Sequence, residues 1–130
     1  MKELLVYCPT NESPAIYKFL DSLDAKLRKK LVKQLLRLPD IPLCYMKEPH
    51  IKHFSIEKYS QLYEVREKNR ILVRVIYTIC DNGDILLLEA FIKRHKRNTM
   101  QALETSLKML TEIEHNLTSP VKFLVKEEWL

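Results

Sequence analysis

The 130-residue sequence predicts an α+β domain: a mostly antiparallel sheet packed by an N-terminal helical hairpin and followed by a C-terminal helix. Three observations carry that prediction. Gln61–Arg66, Ile71–Cys80 and Ile85–Lys93 are rich in β-branched, aromatic and aliphatic residues and are separated by short polar connections, the pattern of an antiparallel meander. Leu27, Leu31, Leu35 and Leu38 recur at helical spacing before it, and Met100, Leu103, Leu107, Leu110, Ile113 and Leu117 recur after it.

The elements follow in order. Leu4–Cys8 is an apolar run stopped by Pro9, which reads as a buried first strand joining the sheet. Ser13-Pro14 pairs a capping residue with proline at the first helical position, and Ile16, Phe19, Leu20 and Leu23 then define a helix over about Pro14–Ser22. Asp24 caps a second helix that Pro39 and Pro42 end; its Lys26, Lys29, Lys30 and Lys33 read as a solvated face. Leu43–Tyr59 lacks periodicity and reads as a loop with at most a short turn of helix or strand. Asn98, with Gln101 three residues later, resembles a capping box opening a helix from about Thr99 to Leu117. Ser119-Pro120 breaks that helix, and Val121–Leu130 is a tail with Phe123 and Trp129 that either packs as a strand or lies loose.

Register decides which cations meet. Asn82-Gly83 is the signature of a two-residue hairpin turn, which pairs Cys80 with Ile85, Arg74 with Phe91 and Leu72 with Lys93. Period-two alternation then sets Arg74 and Lys93 on one sheet face as diagonal neighbours. An even register between the first two meander strands adds Arg66 to that face, whereas a one-residue slip turns it away. Beyond Lys93 come Arg94, His95, Lys96 and Arg97, directly before a helix whose N-terminal amides also favour an anion.

Such a cluster suits phosphate. RNA is cleaved when a 2′-hydroxyl attacks the adjacent phosphate, a reaction that needs cations on the non-bridging oxygens and groups that move protons. Arginine supplies a permanently charged donor fork, and a lysine or histidine exchanges a proton when its pKa lies near neutrality. Arg66, Arg74, Lys93 and His95 are the candidate catalytic residues; Arg94, Lys96, Arg97, Lys52 and His53 are candidate RNA contacts. His50 and His53 are alternative proton-transfer groups. Against these stand plainer readings: Arg66 paired with Glu64 or Glu67, Arg74 paired with Glu89, and strand tyrosines that are core.

Composition bounds the partners. The 22 Lys and Arg against 17 Asp and Glu give a formal charge of +5, suited to a polyanion or a solvated basic surface. Cys8, Cys44 and Cys80 are widely spaced, with neither zinc-ligand spacing nor a disulfide framework, and read as reduced cysteines of a cytoplasmic protein. No stretch approaches the roughly twenty apolar residues of a membrane span. No metal site, glycine-rich phosphate loop or serine or cysteine nucleophile motif is evident.

Leu62-Tyr63-Glu64-Val65-Arg66 resembles the Leu-Tyr-Glu-Leu-Arg strand of the RelE/ParE toxin superfamily, in particular its HigB-like, phage-derived host-inhibition branch. Arg74-Val75-Ile76-Tyr77 resembles the central arginine-containing strand, Leu87–Arg94 resembles the Leu-Leu-His-Gly-Phe-Lys-Lys strand end, and Phe19–Leu23 with the basic helix resembles the opening hairpin. The resemblance spans about Tyr17 to Leu110 and implies a RelE-like toxin domain over 1–118 with a 119–130 tail outside it. Two departures stand out: Asn98-Thr99 replaces Thr-Pro at the last helix, and Glu89-Ala90 replaces His-Gly, which sets a carboxylate near the cations.

What the resemblance implies is a type II toxin, an mRNA interferase acting on translating ribosomes without cofactor or metal. It also implies a cognate helix-turn-helix antitoxin, through which alone operator DNA is reached, and no membrane. By resemblance Arg66, Arg74, Lys93 and Arg94 carry over as cleft cations; His95 and Lys96 rest on proximity. Two rivals are weighed beside it: a non-nucleolytic, ParE-like gyrase inhibitor and a passive RNA-binding module.

Overall fold

In the computed structural model, which describes residues 2–130, the meander forms the centre of a six-stranded sheet. The elements are β1 (Leu4–Val6), α1 (Ala15–Ser22), α2 (Ala25–Arg37), β2 (Ile51–His53), β3 (Leu62–Asn69), β4 (Ile71–Ile79), β5 (Ile85–Ile92), α3 (Lys96–Glu114) and β6 (Val121–Lys122). Their order across the sheet is β2-β3-β4-β5-β1-β6, antiparallel throughout except where β1 runs parallel to β5. This is the α+β, RelE-like architecture expected from the sequence.

The two sheet faces bury different residues of the same strands. Val65, Val73, Val75, Tyr77 and Leu87 face the α1–α2 hairpin and meet Ile16, Leu20, Leu27, Leu31 and Leu35 in the larger core. Leu62, Ile76, Leu86 and Leu88 face the other way and meet Ala102 and Leu103 of α3. Asp24 caps α2 as its position suggests, its Oδ1 accepting from the Leu27 N–H at 3.0 Å.

Several expectations are corrected. The β4–β5 turn is not the two-residue type: Ile79, not Cys80, pairs with Ile85, and Gly83 takes φ +94° at the end of an Asp81-Asn82-Gly83 loop. Its Gly83 N–H donates to the Cys80 carbonyl and its Cys80 N–H to the Asp84 carbonyl, both at 2.8 Å. That loop shifts the register by one residue, and a bulge shifts it back. Val75 pairs with Ala90 but Tyr77 with Leu87, so β5 carries an extra residue near Glu89. Arg74 therefore still pairs with Phe91, and the Lys93 N–H donates to the Leu72 carbonyl at 2.8 Å.

Helix ends also move. α1 begins at Ala15 with Pro14, not Ser13, at the cap. α3 begins at Lys96 rather than Thr99, with Asn98 in its first turn: the Asn98 Oδ1 accepts from the N–H groups of Arg94 and His95 at 2.8 Å each. It ends at Glu114, which leaves Leu117 of the expected stripe exposed. The Leu43–Tyr59 stretch holds three short elements, two one-turn helices and β2, in keeping with its lack of periodicity. In the tail, β6 pairs with β1, and Phe123 and Trp129 enter the hairpin-side core. Trp129 Nε1 donates to Asp21 at 2.8 Å and Lys126 Nζ pairs with the same carboxylate at 2.6 Å.

Among the described residues no helix is long and apolar enough to cross a membrane.

Candidate functional site

On the α3 face the apolar surface stops short of the Lys68–Leu72 end of the meander, and charged side chains take its place. Arg66 and Arg74 are direct cross-strand partners on β3 and β4, the even register that sets them on one face. Lys52 of β2 pairs with Glu64 of β3 and so shares that face, and Phe91 flanks Arg74 on β5. Like charges directly opposite one another destabilise a sheet, so something must offset them.

Glu64 does so. It is 1% exposed; its Oε1 lies 3.0 Å from Arg66 Nε and 3.5 Å from Arg74 Nε, while its Oε2 is buried without a hydrogen-bond partner. Arg66 reaches outward as well, with Nη1 3.0 Å from Glu48 Oε1 at the surface. Arg74, itself 9% exposed, donates from Nη1 to the Val73 carbonyl at 3.0 Å. Burial lowers the Arg74 pKa from the ordinary arginine value; Glu64 opposes that shift and Arg66 adds to it.

Lys93 completes the cluster. Burial lowers its pKa, Glu64 pulls it back up, and Arg74, Arg66 and Lys52 push it down again. A lysine displaced in this direction is a better proton donor at neutral pH than an isolated one. The expected neighbour Glu89 is elsewhere: the bulge turns it into a small cleft with Tyr7, Phe19 and Met109, where burial raises its pKa. The plainer ion-pair readings are thus met only in part, since Arg66 does pair with Glu64, but Glu67 pairs with Lys30 at 3.6 Å and Arg74 with Glu64 rather than Glu89.

A groove of about 410 Å³ opens beside the arginines, lined by Lys30, His50, Arg66, Lys68, Leu72 and Arg74, with Pro49 and Glu67. Lys30 is exposed, as expected of that face of α2, and its Nζ reaches the Lys68 carbonyl at 3.1 Å on the groove wall. Arg94 and His95, between β5 and α3, and Lys96 and Arg97, in the first turn of α3, are exposed; like Lys93 and Lys52 they do not line the groove. His53 is not brought to the cluster. It pairs with Tyr63 on the hairpin-side face, its ring stacked 4.6 Å from that of Tyr63 and its Nε2 2.6 Å from the Ser60 carbonyl. Tyr63 and Tyr77 stack on each other at 5.3 Å, and Tyr77 is fully buried.

Glu64 escaped the sequence reading as a site residue, and His50 was expected only as an alternative proton-transfer group. Glu64 carried a signal: a carboxylate alternating with Leu62 and Arg66 in a central strand is a buried charge that needs cations. The place of His50 was not legible, because it depends on an irregular loop in which the His50 carbonyl accepts from the Arg66 N–H at 2.8 Å. Among the described residues no group of three or more His, Cys, Asp or Glu converges as metal ligands would.

The family described as phage-derived protein Gp49-like (DUF891) matches residues 18–113, which include β2 to β5 and nearly all of α3. No curated protein matches the chain significantly.

Proposed function

The chain belongs to the phage-derived Gp49-like family, a family of RelE/HigB-type toxins associated with toxin–antitoxin pairs, and from that premise we propose that it is a HigB-like, ribosome-dependent endoribonuclease that cleaves mRNA and stops translation. The observation that supports this reading best is the Arg66–Arg74 cross-strand pair, with Lys93 beside it and a groove open alongside.

In the proposed reaction Arg66 and Arg74 hold the non-bridging oxygens of the scissile phosphate, and Lys93 with Arg94 stabilise the charge that develops as the 2′-hydroxyl attacks. Lys93 is also the proton donor to the leaving 5′-oxygen, for which its lowered pKa suits it. A histidine accepts the 2′-hydroxyl proton: His50 from the groove wall, with His95 at the start of α3 the second candidate. Lys52, Lys96 and Arg97 extend the positive surface along the transcript. The chemistry requires no metal or cofactor. A helix-turn-helix antitoxin is the proposed partner, silencing the toxin by covering the basic face or a sheet edge with acidic or extended segments.

Primer extension on mRNA from cells expressing the protein tests the reading. Codon-positioned breaks are expected for the parent and not for folded Arg66→Ala, Arg74→Ala or Lys93→Ala chains. Growth arrest with intact transcripts and inhibited gyrase would favour the ParE-like alternative. RNA retention without breaks would favour a passive module.

A further inference from the structure

We infer that Glu64 is a positioning residue of this site: a buried anion that holds the Arg66 and Arg74 side chains together and, on the endoribonuclease reading given above, acts on the scissile phosphate only through the cations around it. Three observations converge on this role. Its Oε1 accepts a hydrogen bond from Arg66 Nε at 3.0 Å and stands 3.5 Å from the buried Arg74 Nε as an ion pair, between two guanidinium groups that strand pairing sets directly opposite each other. Its side chain is 1% exposed, too deep to meet RNA as a general base. Its Oε2 is buried with no partner, so the carboxylate sits in an arrangement that leaves half of its acceptor capacity unmet.

A carboxylate kept only for stability is a poor choice here. A buried ion pair seldom exceeds a well-packed apolar side chain in stability, and an orphaned oxygen adds a desolvation cost. What the charge does supply is order. Without it, Arg66, Arg74, Lys52 and Lys93 repel one another, and the long arginine side chains swing outward to water. The groups facing Lys93 are Lys52 from β2, Glu64 and Arg66 from β3 and Arg74 from β4, with Arg94, His95, Lys96 and Arg97 following in its own turn; Glu48 and His50 stand beyond, next to Arg66. Glu64 is the one buried anion in that set.

The test follows Lys93 by NMR of side-chain-labelled lysine, alongside the pH profile of mRNA cleavage on translating ribosomes, in the parent, Glu64→Gln and Glu64→Asp chains. Glu64→Gln keeps the shape and removes the charge, so the Lys93 titration should fall by about one pH unit, and the cleavage limb that depends on it should move down equally. Glu64→Asp keeps the charge on a shorter arm that cannot reach both guanidinium groups. It should leave the Lys93 titration close to the parent's yet lower cleavage about tenfold or more, a split that a loss of stability alone does not produce. An unmoved Lys93 titration in folded Glu64→Gln, in a parent that cuts mRNA, overturns the role of Glu64 alone. If Glu64→Gln does not fold, parental cleavage by Glu64→Asp overturns it. A parent chain that cuts no mRNA defeats the nuclease reading itself.

Discussion

The two faces of the central sheet differ more than their shared strands suggest. Odd-numbered positions of β3 and β4 supply Val65, Val73, Val75 and Tyr77 to a continuous core, each 0% exposed. The even-numbered positions begin as core, with Leu62 and Ile76 beneath α3, and end as Glu64, Arg66 and Arg74. The hairpin face is thus core from Val65 to Tyr77, with Glu67 meeting Lys30 of α2 only at its end. On the α3 face stability yields to charge toward one end, at the cost of a buried anion with an unmet oxygen. On the function proposed above, a face that keeps like charges paired across strands, beside an open groove, serves a ligand of opposite sign.

Truncations should separate the two faces, the largest effects falling on the apolar one. Trp129→Ala removes an aromatic ring 2% exposed in the hairpin-side core and should cost about 3–5 kcal/mol in denaturant unfolding. Leu31→Ala, at a fully buried stripe position, should cost about 2–5 kcal/mol by the same measurement. Neither touches the cations, so the specific cleavage activity of the folded fraction should survive both. Arg66→Ala should abolish mRNA breaks by the folded fraction, and because it strips the buried Glu64 carboxylate of its 3.0 Å hydrogen-bond partner it should also cost about 2–3 kcal/mol in stability.

Smaller effects sharpen the same contrast at the edges of the hairpin face. Asp24→Ala removes the α2 cap and should cost about 1 kcal/mol with no change in cleavage. The tail clasp should respond to acid. The hydrogen bonds from Lys126 and Trp129 hold the Asp21 carboxyl below its ordinary pKa, so the clasp is intact above the unfolded-state value and is lost as pH falls through the lowered one. Trp129 fluorescence should change over that acidic interval, and Asp21→Asn should abolish the change.

The sequence disclosed the fold where a single period dominates and lost detail where two local effects compete. The leucine stripe of α2 and the three meander strands were legible because burial of one face imposes one spacing. In the β4–β5 register two effects offset each other: Asn82-Gly83 is compatible with both a two-residue turn and the three-residue loop observed, and the bulge at Glu89, with no glycine to mark it, restores the pairing of Arg74 with Phe91. At α3, Asn98 serves in the first turn as well as it serves at a cap, so residue type alone did not fix the boundary. Of the candidate site, Arg66, Arg74, Lys93 and Lys52 share one face by alternation and pairing. His50 and His53 fell in aperiodic chain, where sequence gives no face, and the structure sets them on different sides of the cluster's edge.

The central claim is that these cations grip one sugar-phosphate chain, and the salt dependence of binding tests it most directly. Titrating a short single-stranded RNA into the folded protein at several salt concentrations gives the slope of log K against log salt, which should shrink by about 0.7 for each phosphate contact removed. Arg66→Ala and Arg74→Ala should each weaken binding and flatten the slope by about that amount, whereas Lys26→Ala, on the exposed face of α2, should change neither. Equal slopes for the parent and both arginine variants would contradict the account.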